Sequence, residues 1–239
     1  MKDKPINVTD PLSGQEPDRG DSDADKQRQR RPLNIPALYG EEWTSFKGRP
    51  SRFFVFCLVL FFAALIVSHV YFQAHPEQAA KRVSEEIQKL SQKGFFGKTG
   101  AGLFLRVLLN NLRATLIVLA IGLIPYLFLS AIGPLLNGGL VGVFTAYLQH
   151  AGLSLAHAVW AGLAPHAVFE IPAMLYAASL GLELSQKMTR KMNPAEAAKS
   201  GPFVRLLLRA IRSWALIVVP LLAAAAAVEA FITPALLRL

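Results

Sequence analysis

Cysteine is almost absent: of 239 residues, only Cys57 carries a thiol. A single thiol excludes an intramolecular disulfide and any cysteine-based zinc knuckle. Charge is also scarce, at 17% of residues against 53% hydrophobic ones, and almost no polar stretch is long enough to build a water-soluble domain. The chain has no H-E-x-x-H, G-x-S-x-G, P-loop or glycine-rich nucleotide loop, and Ser154 and Ser179 stand in no arrangement that suggests a nucleophile. No catalytic residue and no cofactor is expected, and the chain reads as a non-enzyme. The net charge of +9 does not point to nucleic acid. Its Lys and Arg flank apolar runs, where they set membrane orientation and meet anionic lipid. The first apolar run starts near Phe53 and is too long for a signal-peptide core, so no cleavable signal is expected.

Long apolar runs dominate, and several approach or exceed the roughly 20 residues of a spanning helix. The expected fold class is an all-α integral membrane protein. It has about five transmembrane helices, a re-entrant or interfacial half-helix and a short amphipathic external helix. Residues 1–31 form a polar tail ending in Lys26-Gln-Arg-Gln-Arg-Arg31, which buries too little apolar surface to order and is expected to be disordered. Residues 32–52, with Tyr39, Trp43 and Phe46, read as a juxtamembrane interfacial segment. The rest, 53–239, is a single polytopic membrane domain.

Spans are expected at Phe53 to Phe72, at Leu103 to Ile132 with a bend near Pro125, and at Gly138 to His150. Two more follow, from His166 to Leu184 and from Ser213 to Phe231, the last kinked at Pro220. Gly133-Pro134 and Asn137-Gly138 read as a chain break and a turn. Residues 153–163 are too short to cross and read as the half-helix. Within the excursion 73–102, Ala79, Val83, Ile87 and Leu90 recur at helical spacing, and Gly94 stops the helix. That helix is expected to cover the protein's own membrane domain or, alternatively, to bind a partner, and Phe95-Phe96 to touch the bilayer surface. The loop 186–212 is strongly basic. This Lys and Arg asymmetry places the N-terminus in the cytoplasm and the C-terminus outside.

Ionisable residues inside such runs are the candidate functional residues, because each is costly at membrane depth. His166 and Glu170, bracketed by Pro165 and Pro172, are spaced i, i+4 and share a helix face. The topology adds Asn110, Asn111 and Arg113 from the second span and Glu229 from the fifth, giving an intramembrane polar cluster. In it Glu170 is expected to be held by Arg113 or Asn110. Alternatively, these residues satisfy the backbone ends of broken helices. Metal binding is a weak signal resting on His157, His166 and Glu170.

Together, Asn110-Asn111 opening one span, Asn137-Gly138-x-x-x-Gly142 opening the next, and Pro165-His166-Ala-x-x-Glu170-Ile-Pro172 before a small-residue helix with Gly181 form a pattern. It resembles the stage II sporulation protein M family over roughly Phe53 to Phe231. The family pattern is Pro-His-Gly-x-x-Glu, and Ala167 stands here in place of the glycine. The resemblance implies a non-enzymatic, multi-spanning partner of envelope enzymes in the bacterial inner membrane. The function it suggests is a scaffold that positions cell-envelope remodelling partners. The alternatives are a transport component, either a permease subunit or an ion or lipid-linked carrier with a polar site around Glu170, and an intramembrane metalloenzyme. Expected partners are the lipid bilayer, other envelope membrane proteins and a second copy meeting through Gly138-x-x-x-Gly142.

Overall fold

The computed structural model describes residues 35–94, 99–197 and 202–236. The 1–31 tail, residues 32–34, the Phe95-Phe96 contact, and Lys199 of the basic loop lie outside them. The chain falls into two units, Met1–Leu38 and Tyr39–Leu239. In the first, residues 35–38 are described and helical; all that follows concerns the second. The described residues contain no strand, and five helices are long and apolar enough to cross a membrane.

The part of helix α1 (Ile35–Phe46) that belongs to this unit, from Tyr39 on, leads into α2 (Arg49–Gln73), whose first turn holds Pro50, where a missing N–H leaves nothing unpaired. α3 (Pro76–Gln92) is the amphipathic helix expected from its spacing. It ends at Gly94, whose φ of +68° is the left-handed conformation that favours glycine after a helix. α4 (Ala101–Ile121) follows.

Rather than bending at Pro125, α4 stops. Gly122 is pressed against α6 (Leu155–Lys191), where a Cβ would lie 2.7 Å from the Gly181 carbonyl carbon. Pro125 has no N–H to continue the ladder and disfavours helix at Ile124. The break crosses Tyr126 and Phe128, both at positive φ. Its loose backbone groups are taken up by hydroxyls: Ser130 Oγ donates to the Val118 carbonyl at 2.8 Å and Ser185 Oγ to that of Ile124 at 2.9 Å. Thr189 Oγ1 accepts from the Tyr126 N–H at 2.8 Å. Irregular backbone in a membrane protein survives where neighbouring protein satisfies it in this way.

α5 (Ile132–His150) absorbs both expected punctuation marks. Pro134 falls in its first turn, where it is tolerated, and Asn137 is helical, with Nδ2 donating to the Gly133 carbonyl at 3.0 Å. The Asn-Gly pair is therefore not a turn; its glycine is a packing surface. The separate half-helix expected over 153–163 is also absent. Ser154 caps the start of α6 by accepting from the His157 N–H at 3.2 Å. The helix then runs on through a π-helical stretch, Ala158–Leu163, into Ala164–Lys191. Pro165 sits just past that stretch, where the change of register already interrupts the ordinary ladder. The last span, α7 (Phe203–Leu236), carries π-helical stretches at Trp214–Val218 and Val228–Ile232.

α6 is the centre. Residues 173–182 are buried on every side, and α2, α4, α5 and α7 all pack against them. Ala173, Ala177, Ala178, Ser179 and Gly181 keep that helix thin enough for its neighbours to close in. The most extensive pairing joins α2 to α5. There His69 Nδ1 and Thr145 Oγ1 share a hydrogen bond at 2.9 Å, Ser68 Oγ donates to the Gly139 carbonyl at 2.8 Å, and the His150 ring donates to the Gln73 carbonyl at 3.1 Å.

Candidate functional site

α6 and α7 bring together an imidazole and two carboxylates. From α6 come His166 and Glu170, one turn apart on the same face, and from the Val228–Ile232 π turn of α7 comes Glu229. One ligand atom from each lies within 4.8 Å of the other two, and all three residues are partly buried. His166 Nδ1 is sealed from solvent and has no hydrogen-bond partner among the described residues. Neither carboxylate is paired with a Lys or Arg among the described residues.

Asn111 of α4 sets its side-chain amide against the Glu170 carboxylate. The Asn111 carbonyl oxygen accepts from Asn110 Nδ2 at 3.2 Å, and Asn110 Oδ1 accepts from Lys93 Nζ at 3.3 Å. A hydrogen-bonded chain thus runs from the end of α3 to both asparagines, and Asn111 stands next to Glu170. Arg106 joins it by donating to the Lys93 carbonyl. Arg113 lies elsewhere. It is exposed, lines a groove with Lys93, Arg106 and Asn110, and forms no ion pair with Glu170. The asparagine next to Glu170 is Asn111; Asn110 lies one step behind it. His157 is also exposed and outside the cluster. Of the residues weighed as metal ligands, His166 and Glu170 come together, and Glu229 rather than His157 stands beside them.

A family model described as Stage II sporulation protein M matches residues 53–234. The chain belongs to that family. With five helices long and apolar enough to span, it is a multi-pass membrane protein. The match takes in α2 to α7 and all three residues of the cluster. The comparison with curated proteins gives no match, and neither does that with solved structures.

In this family member the remaining motif residues serve packing. A Cβ at Gly138 would lie 3.0 Å from the Phe61 carbonyl carbon of α2, and one at Gly142 would lie 2.8 Å from Ser68 Cβ. The face expected to meet a second copy is therefore filled by the chain itself. A Cβ at Gly181 would sit 2.9 Å from both Ser130 Cβ and the Val118 carbonyl oxygen. Pro172 lies inside α6, where it removes one ladder bond.

One buried charge was not foreseen from the sequence. Glu42 of α1 is 1% exposed. Arg212 Nε donates to it at 2.7 Å, and Ser213 Oγ donates to its second oxygen. Tyr39 Oη adds a bond to the Leu216 carbonyl at 3.0 Å. The interfacial segment is thus latched to α7. The one available signal was a carboxylate pair, Glu41-Glu42, placed among aromatic residues beside a membrane span.

Proposed function

We propose that this protein is a non-catalytic scaffold that positions cell-envelope remodelling partners in the bacterial cytoplasmic membrane, with its N-terminus inside and its C-terminus outside. The observation carrying this reading is the half-docked state of α3. Ala79 and Val83 are buried and the helix packs on α5, yet Ile87 is 50% exposed and Leu90 38% exposed. An apolar end on a helix outside the spans is a surface for another protein. The Lys93–Asn110 bond and Arg106 hold that end at a fixed angle to the bundle.

A photo-crosslinking amino acid at position 87, activated in native membranes, tests the reading. The expected product is a stoichiometric adduct with one envelope protein, lost when Leu90 is changed to Ser. Adducts to lipid alone, or the same adduct in the Leu90→Ser chain, overturn it. The second reading, a transport component, is favoured by the His166–Glu170–Glu229 cluster between two spans. It requires proteoliposome cation uptake that disappears on Glu170→Gln while the melting curve is unchanged.

A further inference from the structure

We infer that His166, Glu170 and Glu229 bind one divalent transition-metal cation of the zinc class, which fastens α6 to α7. This inference is independent of the scaffold reading and of the transport reading, since it concerns what joins two helices.

The donor set comes first. An imidazole nitrogen and two carboxylates with ligand atoms within 4.8 Å of one another suit zinc, which takes nitrogen and oxygen ligands in a tetrahedron. Calcium and magnesium prefer shells made of oxygen alone, which the imidazole does not provide. Around zinc, neighbouring donors sit about 3.4 Å apart, given bonds of about 2.0–2.2 Å. Both glutamates have side-chain torsions that can draw their oxygens in from the present spacing. Three protein ligands leave a fourth position for water, as in zinc sites that remain open.

The second observation is His166 Nδ1, buried without a partner among the described residues. Buried polar atoms in a folded protein are nearly always satisfied, so an orphaned ring nitrogen on a residue of this cluster needs an account. Electrostatics supplies the third. Glu170 and Glu229 face each other with no Lys or Arg paired to either among the described residues. A dication offsets both charges at once and is the largest local charge such a site can hold. The backbone supplies the fourth. A π-helical stretch, Ala158–Leu163, ends three residues before His166, and Glu229 lies inside another, Val228–Ile232. Such insertions re-aim side chains and recur at functional sites. Asn111, against Glu170, then acts as an outer partner that orients a ligating carboxylate.

The test uses the full chain purified in detergent, freed of its affinity tag, stripped with EDTA and titrated with zinc sulfate. One zinc per chain is expected, with roughly tenfold or greater loss of affinity in each of His166→Gln, Glu170→Gln and Glu229→Gln. The exposed His157→Ala should bind like the parent. Zinc should also raise the melting midpoint of the parent, followed by tryptophan fluorescence, and leave that of Glu229→Gln unmoved. Should the variants fail to fold, zinc-edge X-ray absorption on the parent decides: one nitrogen with two or more oxygens is expected. No bound zinc, which would leave a proton shared between the carboxylates, overturns the proposal. So does unchanged stoichiometry in the Glu170→Gln/Glu229→Gln chain, or a shell containing sulfur or several imidazoles.

Discussion

Replacing Gly138 by alanine puts a methyl group 3.0 Å from the Phe61 carbonyl carbon and 3.1 Å from its Cα, with the carbonyl oxygen nearer still. These are backbone atoms of α2, so no flexible side chain can yield, and α5 must move away as a body. The same holds at Gly142, where the obstacles include Ser68 Cβ at 2.8 Å and the His69 backbone nitrogen at 2.9 Å. Separating this pair loosens the most extensive helix contact in the chain and stretches the His69–Thr145 and Ser68–Gly139 hydrogen bonds. Overpacking of this kind costs about 1–3 kcal/mol. For a domain of this size the midpoint should fall by roughly 2–4 °C for each kcal/mol. Cys57 provides the assay. It is the chain's one thiol, is 0% exposed and lies on α2, so a thiol-reactive fluorophore labels it only when the bundle opens. Gly139→Ala is the control, because a Cβ there meets nothing within 4 Å. Gly138→Ala and Gly142→Ala should label at clearly lower temperatures than Gly139→Ala. Three superimposable labelling curves would refute the argument that these glycines set the α2–α5 distance.

The Glu42 latch should fail asymmetrically. Arg212→Met leaves a carboxylate stranded at 1% exposure and should cost about 3 kcal/mol, whereas Glu42→Gln leaves an arginine that can turn to solvent and should cost about 1 kcal/mol. Comparison of the two melting midpoints checks it. Ser130→Ala and Ser185→Ala each remove a donor to a backbone carbonyl in the break after α4 and should each cost about 1 kcal/mol, visible as earlier Cys57 labelling. Arg113→Ala should fall within about 0.5 kcal/mol of the parent, as exposed positions do. A larger loss would show that Arg113 pairs with the cluster after all.

Hydropathy made the class and the number of spans legible, since the bilayer imposes its length on every crossing segment. The end of α3 was equally plain, because Gly94 acts through its own backbone conformation. Punctuation inside the bundle was misleading. Asn137-Gly138 signals a turn by local rules, but here it is read by Phe61 on another helix, a contact no local rule contains. Pro125 was visible as an interruption, yet its effect depended on Gly122 meeting Gly181. At the site, His166 and Glu170 share a face by helical spacing alone. Choosing Asn111 over Arg113, and Glu229 over His157, needed the rotation of α4 and the π turn of α7. Glu42 was missed because its partner Arg212 lies 170 residues further along.

The central position of α6 has a consequence for how the chain is made. Its span is less hydrophobic than that of α2, and a far larger share of it is enclosed by the rest of the protein. It also carries His166 and Glu170, which partition poorly into lipid when alone. As the ribosome delivers the spans in order, α2, α4 and α5 emerge first and can form a cleft for α6, but Glu229 arrives last. A nascent chain truncated before α7 should therefore hold α6 less firmly in the bilayer than the full chain does. Alkaline extraction or glycosylation mapping of such truncations would measure that dependence directly.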